Sequence, residues 1–512
     1  MTYRAFIVLT TLLPALGLGA LAQHQGGLGM IPRTWDDAEI ASHKLPLADV
    51  AASPKHVDAD YYYQIPVRPI YKSYPVYAPG HEPAGYLEWM KQQEPVILWD
   101  DHGHAPPLQT EADWIRAGEM VFDASRGPNR FFRIEDVRNL IWYQKAGARV
   151  SRDGVLPLVQ YVVKTRGVVE LGILGCASCH TRVMPDGSIL KGGQGNQPIQ
   201  RAAALGMRSG FTTAQDRTQY LTQLRGFLKS LHGAPWLRPD PEARIDAMSV
   251  AEIADVFEAV PPGTSLRQGT NSFLPMQVPD LIGVKDRRYL DRTGLERHRD
   301  IGDFMRYAAV NQDTDMLDSY AGFVPADVPR FTQLPAPETR RRYSDEQLYA
   351  LTLYVYSLQA PRNPNAFDAV AERGQKIFER EGCASCHTPP LYTNNKLTPA
   401  EGFRVPPEHL KMYDILRISV RTDPTLALRT RRGTGYYKVP SLKGLWYREM
   451  FPHDGSCATL EDWFDPARLS DDCVPTGFKG YGVERRAVPG HEFGLRLSAE
   501  DKRALMAFLK TL

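Results

Sequence analysis

The hexapeptide Gly-Cys-Ala-Ser-Cys-His occurs twice in the chain, at residues 175–180 and 382–387. In such a C-x-x-C-H sequence, two thiols on one helical turn can bond to the vinyl groups of a haem, and the adjacent histidine then lies under the iron. A thioredoxin-like dithiol and a zinc knuckle are competing interpretations, but zinc would need a second Cys or His pair beside each motif, and there is none. The repeated motif therefore predicts two covalently bound c-type haems. The expected haem-bonding residues are Cys176, Cys179, Cys383 and Cys386, and the expected axial iron ligands are His180 and His387.

Matching helical segments flank the two motifs. Before each motif, a glycine and a phenylalanine stand four residues apart, which places them on one face of a short helix. After each motif, an amphipathic pattern begins at a serine that is a candidate helix N-cap. We therefore expect each unit to begin and end with a helix. The glycine–phenylalanine pairs are Gly118 with Phe122 and Gly374 with Phe378, and the N-cap serines are Ser344 and Ser498.

A third repeated element, V-P-x-L-x-G, also follows each motif. It occupies residues 278–283 in the first unit and 439–444 in the second. Together, the repeated elements predict a mostly α protein with two cytochrome-c-like haem domains. We expect these domains at about 111–360 and 361–512.

Two segments fall outside this repeated design. The valine-rich stretch 150–174, with Arg152-Asp153-Gly154 as a turn signal, predicts a strand hairpin and thus a small β insertion in the first domain. Residues 23–110 are rich in proline, tyrosine and histidine and lack sustained periodicity. We expect them to form an extended N-terminal segment that wraps the haem domains.

Residues 1–22 are typical of a signal peptide. Arg4 supplies a positive charge, a mostly apolar stretch follows, and Ala20-Leu21-Ala22 offers small residues for cleavage. A retained membrane anchor is the alternative, but the apolar stretch is shorter than the roughly 20 residues that a spanning helix needs. We therefore expect a periplasmic or secreted protein with no membrane span after cleavage.

The charge balance of the chain limits its partners. The 61 basic side chains are nearly matched by 59 acidic ones, so there is no strong field to attract nucleic acid or an anionic membrane. The expected partners are a small-molecule oxidant or substrate and a redox protein that donates or accepts electrons.

Two cysteines remain after the haem pairs are assigned. In an oxidising compartment, Cys457 and Cys473 are expected to form a disulfide, which would stabilise the fold by about 3 kcal/mol. Two free buried thiols are the alternative.

Four stretches of the second unit share their order with a known family. They are GCASCH at 382–387, VPSLKGLW at 439–446, FPHDGSCATLEDWF at 451–464 and GHEFGLRLS at 490–498. With these stretches the chain resembles the bacterial dihaem cytochrome c peroxidase superfamily, which includes the methylamine-utilisation dihaem enzyme and the dihaem rubber oxygenases. The resemblance is strong over 361–512, weaker over 111–360 and absent before.

The resemblance assigns roles to three histidines of the second unit. His387 matches the proximal haem ligand, and His453 matches the histidine of a turn beside this haem, where it is a candidate catalytic residue. His491 stands where the peroxidases usually carry a ligating methionine, which makes it the expected sixth ligand of the second haem. An iron with two histidine ligands is a weaker oxidant and a better low-potential donor than one with methionine, and the rubber oxygenases are similar in this respect. A surface loop histidine is the alternative for His491.

The first unit has no counterpart of His491. The corresponding stretch before its closing helix, 332–342, contains neither His nor Met. The iron bound by His180 is therefore expected to have an open or loosely held sixth position, where peroxide or dioxygen could bind. His298 is a candidate labile ligand, but a solvated histidine is the interpretation that its arginine neighbours favour.

Catalytic candidates of the first unit come from residues 289–294. This stretch is similar to the tryptophan-aspartate-glycine-arginine turn in the first domain of the peroxidases, which makes Asp291 and Arg292 candidates near the first haem. No residue of the chain corresponds to the family's catalytic glutamate.

The expected function is that of an oxidoreductase in which the second haem transfers electrons and the first binds and activates peroxide or dioxygen. One alternative is a pure electron-transfer cytochrome without its own substrate. Another is a dioxygenase similar to the rubber oxygenases. A six-coordinate first haem would favour the electron carrier, and an open one would favour an enzyme.

Overall fold

Helices are the main regular elements of the protein, and its sheets are small. The computed structural model describes residues 30–128, 131–209, 214–267, 269–312, 318–324 and 336–512. The signal peptide predicted at 1–22 lies outside the described residues. No helix in this part of the chain combines the length and the apolar character needed to cross a bilayer. The helical content agrees with the predicted mostly α class.

The helices and strands follow one another along the whole described chain. The helices are α1 Asp37–His43, α2 Ala59–Gln64, α3 Tyr86–Lys91, α4 Glu111–Asp123, α5 Ile134–Val137, α6 Leu140–Ala146, α7 Ile199–Ser209, α8 Ala214–His232, α9 Val250–Glu258, α10 Ile301–Gln312, α11 Asp345–Ser357, α12 Ala369–Arg380, α13 His409–Met412, α14 Thr425–Leu428, α15 Leu460–Trp463 and α16 Ala499–Lys510. The strands are β1 Pro54–Lys55, β2 Ile70–Tyr71, β3 Ser73–Tyr77, β4 Ile97–Trp99, β5 Ser125–Pro128, β6 Val155–Thr165, β7 Val168–Leu174, β8 Thr181–Val183, β9 Ile189–Lys191, β10 Thr264–Ser265, β11 Met276–Gln277, β12 Tyr289–Leu290, β13 Glu296–Arg297, β14 Ser319–Tyr320, β15 Leu397–Pro399 and β16 Tyr436–Lys438.

Two helix pairs, one in each unit, cross at a glycine. Helix α4 packs on α11, and α12 packs on α16. A Cβ atom added to Gly118 would lie 2.0 Å from the carbonyl oxygen of Ala350, and one added to Gly374 would lie 1.9 Å from that of Ala504. Only a residue without Cβ allows backbones to approach this closely. The two glycines that the sequence repeat aligned therefore have the same structural role.

The same helix pairs share an aromatic contact. Phe122 packs on Tyr354 in the first pair and Phe378 packs on Phe508 in the second, with 5.3 Å between ring centres in both. The N-caps are alike too: the hydroxyl of each predicted serine accepts a hydrogen bond from the third helical amide, at 3.1 Å. The predicted opening and closing helices are thus confirmed in both units.

The predicted hairpin is formed by β6 and β7, but its turn lies elsewhere. The strands turn at Arg166 and Gly167, where Gly167 has a φ of +86° that glycine adopts without strain. Residues 152–154 form a separate turn just before β6, so their turn signal did not mark the hairpin. Strands β3 and β5 extend the hairpin to a four-stranded sheet in the order β3-β6-β7-β5.

The N-terminal segment is more regular than the expected extended chain. From residue 30 to residue 110 it contains α1 to α3 and β1 to β4. Strand β3 pairs with β6, and β1 pairs with β14, so the segment adds strands to the first unit. Trp35 is fully buried, and its indole N–H donates to the Val57 carbonyl at 2.9 Å. Strand pairing and the burial of Trp35 therefore hold this segment against the rest of the protein.

The two units are in direct contact at their V-P-x-L-x-G loops. Asp280 belongs to the first loop, and its carboxylate accepts a hydrogen bond of 2.5 Å from the hydroxyl of Tyr447, just after the second loop. The side-chain amide of Gln194 donates to the Glu449 carbonyl at 2.8 Å. These contacts bring the V-P-x-L-x-G loop of the first unit close to that of the second.

Candidate haem-binding sites

Each CASCH motif forms a single helical turn. The amide of His180 donates to the Cys176 carbonyl at 3.0 Å, and the amide of His387 donates to the Cys383 carbonyl at 2.9 Å. This spacing is that of one α-helical turn, so the thiols and the histidine of a motif lie on the same turn. It is the local geometry that covalent haem attachment requires.

A proline carbonyl orients the histidine of each motif. His180 Nδ1 lies 3.0 Å from the carbonyl oxygen of Pro279, and His387 Nδ1 lies 3.1 Å from that of Pro440. A carbonyl only accepts, so Nδ1 carries the proton and the lone pair is on Nε2. Both prolines belong to the repeated V-P-x-L-x-G loops. The loops therefore fix the tautomer that binds iron through Nε2, a role that the sequence did not reveal.

Burial keeps these two histidines neutral. It lowers the pKa of His180 to about 3 and that of His387 to about 4. The positive charge of Arg267 adds to the effect at the first site, and that of Arg448 adds to it at the second. Since a neutral imidazole is the metal-binding form, both side chains are ready to act as ligands at physiological pH.

His491 faces His387 across the second site. Their ring centres are 6.3 Å apart and their planes are inclined by 56°. Two imidazoles bound to opposite sides of one metal ion by bonds of about 2 Å have ring centres about 6 Å apart. Nδ1 of His491 is buried without a hydrogen-bond partner among the described residues, and burial, with His387 nearby, lowers the pKa of His491 to about 4. The pair therefore fits a haem iron with two histidine ligands.

Arg468 holds the loop that carries His491. Its guanidinium donates to the carbonyls of Val488, Gly490 and His491 at 2.5, 2.8 and 3.1 Å. It also stacks on Trp463 at 4.1 Å, and this indole lies 5.5 Å from the His491 ring. His491 has a φ of +46°, a conformation that persists in a non-glycine residue only when its surroundings support it. No local pattern marks Arg468 in the sequence, so sequence reasoning missed it.

His180 opens onto a large cavity in the first unit. Cys176 and Cys179 line this cavity as well, which has a volume of about 190 Å³. The remaining wall is mainly apolar and includes Phe304 and Tyr307 of α10. An apolar cavity that contains both thiols and the histidine of a CASCH turn fits a covalently bound haem.

His232, the last residue of α8, lines the same cavity. It is fully buried, and neither ring nitrogen has a hydrogen bond of ordinary geometry to a described residue. Burial and the charge of Arg431 lower its pKa to about 3, although the backbone of Arg267 and Thr270 opposes this effect. A neutral histidine in the cavity of His180 can accept a proton or bind the iron.

The sequence repeat does not reveal His232, because this residue does not lie in front of the closing helix, where His491 stands in the second unit. The residue lies instead between the first CASCH motif and its V-P-x-L-x-G loop. The second unit has a much shorter connection there, so the repeat offers no counterpart.

Polar side chains accompany His232 in this cavity. The guanidinium of Arg267 donates to the carbonyl and the side-chain oxygen of Asn311, at 2.9 and 3.2 Å. Gln200 donates to the hydroxyl of Ser265 at 3.2 Å. All four side chains line the cavity wall. The first site thus combines an apolar wall with one fixed cation and several hydrogen-bonding groups.

His298 is neither solvated nor free to bind iron. Only 8% of its surface is exposed. Its Nδ1 lies 2.6 Å from the Arg287 carbonyl, and its Nε2 lies 2.5 Å from the Tyr356 hydroxyl. The expectation of a solvated histidine is wrong because its backbone pairs with Arg288 and turns the ring towards α11.

The three catalytic candidates lie at the contact between the units. Asp291 is 3.6 Å from the guanidinium of Arg432 in the second unit. The guanidinium of Arg292 donates to the backbone carbonyl of Gln277 at 3.1 Å. The backbone N–H of Gln277 donates to the backbone carbonyl of His453 at 2.7 Å. None of the three candidates is among the residues that line the cavity of His180. Their catalytic roles stay predictions.

Cys457 and Cys473 are unpaired thiols, so the structure lacks the predicted disulfide. Only 2% of Cys457 is exposed, and burial raises the pKa of its thiol to about 12. Disulfide formation starts from a thiolate, which this environment disfavours. Both are free thiols, as in the alternative, but only Cys457 is buried.

No family model and no curated protein sequence matches the chain. Solved structures give local likenesses at 18% identity. Hydrazine synthase of Kuenenia stuttgartiensis matches 57% of this chain and 87% of its own, with a TM-score of 0.28. A MauG-like protein associated with microbial copper homeostasis matches 33% of this chain and 56% of its own, with a TM-score of 0.21. The dihaem peroxidase BthA of Burkholderia thailandensis E264 matches 49% of this chain and 74% of its own, with a TM-score of 0.24. With TM-scores this low, these likenesses carry no argument. The case for two haem-binding sites depends on the residues described above.

Proposed function

We propose that the protein is an exported dihaem c-type cytochrome that works as an oxidoreductase. The second haem transfers electrons, and the first binds and activates hydrogen peroxide or dioxygen. The observation that carries this proposal is the asymmetry of the two sites. His387 has His491 opposite it at 6.3 Å, whereas His180 opens onto a cavity.

The geometry of the second site supports a role in electron transfer. If His387 and His491 both held an iron, no position would be left for a substrate, and the Arg468 contacts to the Gly490 and His491 carbonyls hold the His491 loop in place. A site that does not rearrange when its charge changes favours rapid electron exchange. A redox partner protein would supply or remove the electrons.

The first site supplies groups for chemistry on a small oxidant. When bound there, a haem would provide the site at which peroxide or dioxygen is reduced. His232, neutral because of its burial, can take a proton from hydrogen peroxide. Arg267, held by Asn311, places a positive charge where negative charge develops. Conversion of one peroxide to two waters consumes two electrons and two protons, and a haem held by His387 and His491 would supply the electrons from the redox partner.

The replacement of His232 by leucine tests this assignment. We expect His232→Leu to lower hydrogen peroxide turnover on the order of a hundredfold or more, since it removes a proton acceptor. The measurement is steady-state peroxide consumption by the haem-loaded protein with a reduced mediator, together with haem content. His102→Leu is the matched control, because the His102 side chain is 83% exposed, and its turnover should equal that of the wild type.

Other outcomes separate the alternatives. If wild-type protein consumes neither peroxide nor dioxygen, and cyanide binds only after His232 is replaced, then His232 closes the first iron and the protein is an electron carrier. If dioxygen is consumed only with an added apolar substrate, the apolar cavity wall serves a dioxygenase. Unchanged peroxide turnover in His232→Leu would contradict the role given to this histidine.

A further inference from the structure

Three arginines of the second unit reach across to the first unit. They belong to the segment 429–432, Arg-Thr-Arg-Arg, which follows α14. Arg429 is exposed, whereas Arg431 and Arg432 are only 0% and 1% exposed. A guanidinium is rarely buried so completely unless hydrogen bonds or opposite charges compensate for the lost water. The partners of the two buried arginines therefore indicate what these side chains do.

Arg431 holds the end of α8, the helix whose last residue is His232. Its guanidinium donates to the backbone carbonyls of Ser230 and Gly233 at 2.8 and 3.0 Å, and to that of Lys229 at 3.3 Å. The last carbonyls of a helix have no partner within the helix and carry a partial negative charge, so a buried cation stabilises this end. These contacts fix the backbone on both sides of His232.

The position of the His232 ring depends on this backbone. Neither ring nitrogen has a hydrogen bond of ordinary geometry to a described residue, so no such contact orients the side chain. Arg431 is itself held by the first unit, because its guanidinium lies 5.8 Å from the ring centre of Tyr320 and 5.5 Å from that of Phe323. Arg431 is thus fixed between two aromatic rings and the helix end that carries His232.

Arg432 has a similar relation to Arg267, the cation of the cavity wall. Its guanidinium donates to the side-chain oxygen of Asn311 at 3.3 Å, and the same oxygen accepts a hydrogen bond from Arg267 at 3.2 Å. The carboxylates of Asp291 and Glu296 each lie 3.6 Å from the Arg432 guanidinium and offset its charge. The second unit therefore holds one end of the hydrogen-bond chain that places Arg267.

We propose that Arg431 and Arg432 are positioning residues of the first site, which hold His232 and Arg267 where a small oxidant reacts. The inference rests on the function proposed for that site. Neither arginine is among the described residues that line the cavity of His180, so each acts through its partner and not on the oxidant. The first site is therefore completed by two side chains of the second unit.

A double-mutant cycle in the full-length, haem-loaded protein tests the role of Arg431. We expect Arg431→Met to lower kcat for hydrogen peroxide on the order of tenfold and to leave KM nearly unchanged, because a displaced proton acceptor slows the chemical step. The same substitution should have no further effect in His232→Leu, since the group through which Arg431 acts is gone. Arg429→Met is the matched control, because Arg429 lies exposed on the same segment, and its turnover should equal that of the wild type.

A parallel cycle tests the role of Arg432. We expect Arg432→Met to lower kcat on the order of tenfold when Arg267 is present, and to have no effect in Arg267→Met. A general loss of structure would instead lower kcat by the same factor in both backgrounds. Equal losses in the two backgrounds would therefore overturn the positioning role of the arginine concerned.

Cyanide affinity of the first haem provides a readout that does not depend on turnover. Arg431→Met should change the cyanide Kd several-fold when His232 is present and leave it unchanged in His232→Leu. If the wild type carries two haems but consumes no peroxide, the proposed function fails, and this titration still decides the role of Arg431. A cyanide Kd that Arg431→Met leaves unchanged in both backgrounds would overturn the inference.

Hydrogen exchange in the same samples tests the contact itself. The backbone amides of residues 229–234 should exchange faster in Arg431→Met than in Arg429→Met, and equal rates would show that Arg431 does not hold the end of α8. Should the methionine variants not accumulate, Arg431→Lys and Arg432→Lys replace them in every arm. Lysine keeps the charge but lacks the planar fork of donors, so we expect the same pattern of losses.

Discussion

Replacing His491 with alanine is expected to convert the second haem from low-spin to high-spin. The ring of His491 lies opposite that of His387 at the separation that one iron between them requires. Loss of this ligand leaves a weak field on one side of the iron, and no other described histidine faces His387. Optical and electron paramagnetic resonance spectra of the haem-loaded variant measure the change, and added imidazole should restore the low-spin signal.

His298→Ala is the matched control for this experiment. Both nitrogens of His298 are engaged by protein groups, so its removal should leave the spin states of both haems as in the wild type. An unchanged low-spin spectrum in His491→Ala would show that His491 does not bind the second iron.

The second large effect is expected at the helix crossing of the second unit. Gly374→Val should reduce the free energy of unfolding by about 3 kcal/mol or more, because its side chain would displace the backbone of α16. The Cβ atom alone would lie 1.9 Å from the Ala504 carbonyl oxygen. Denaturant titration followed by far-ultraviolet circular dichroism measures the loss.

Glu379→Val, on the exposed face of the same helix, controls for the low helix propensity of valine. We expect it to cost about 0.5 kcal/mol or less. Equal stability of the two variants would contradict the close packing of α12 on α16.

Local patterns in the sequence predicted the parts of the fold that local forces determine. The CASCH turns, the capped helices that start after Ser344 and Ser498, and the helices that carry Gly118 and Gly374 follow from spacing within a few residues. The internal repeat then matched each of these elements in the first unit to its counterpart in the second unit. The prediction of an extended N-terminal segment depended on composition alone. It missed the helices and strands there because such short elements leave no sustained periodicity in the sequence.

Contacts between distant residues could not be predicted in this way. The proline carbonyls that orient the two axial histidines, the Arg468 clamp and the position of His232 depend on tertiary packing. Elimination of the haem cysteines suggested a Cys457–Cys473 pair, and the structure has both as free thiols.

Mass spectrometry of the exported protein under denaturing conditions tests the central claim, that this chain carries two c-type haems. The account predicts two haem masses that survive denaturation, one on the peptide with Cys176 and Cys179 and one on the peptide with Cys383 and Cys386. A chain that carries one haem or none, when made in cells that have the haem-attachment machinery, would contradict it.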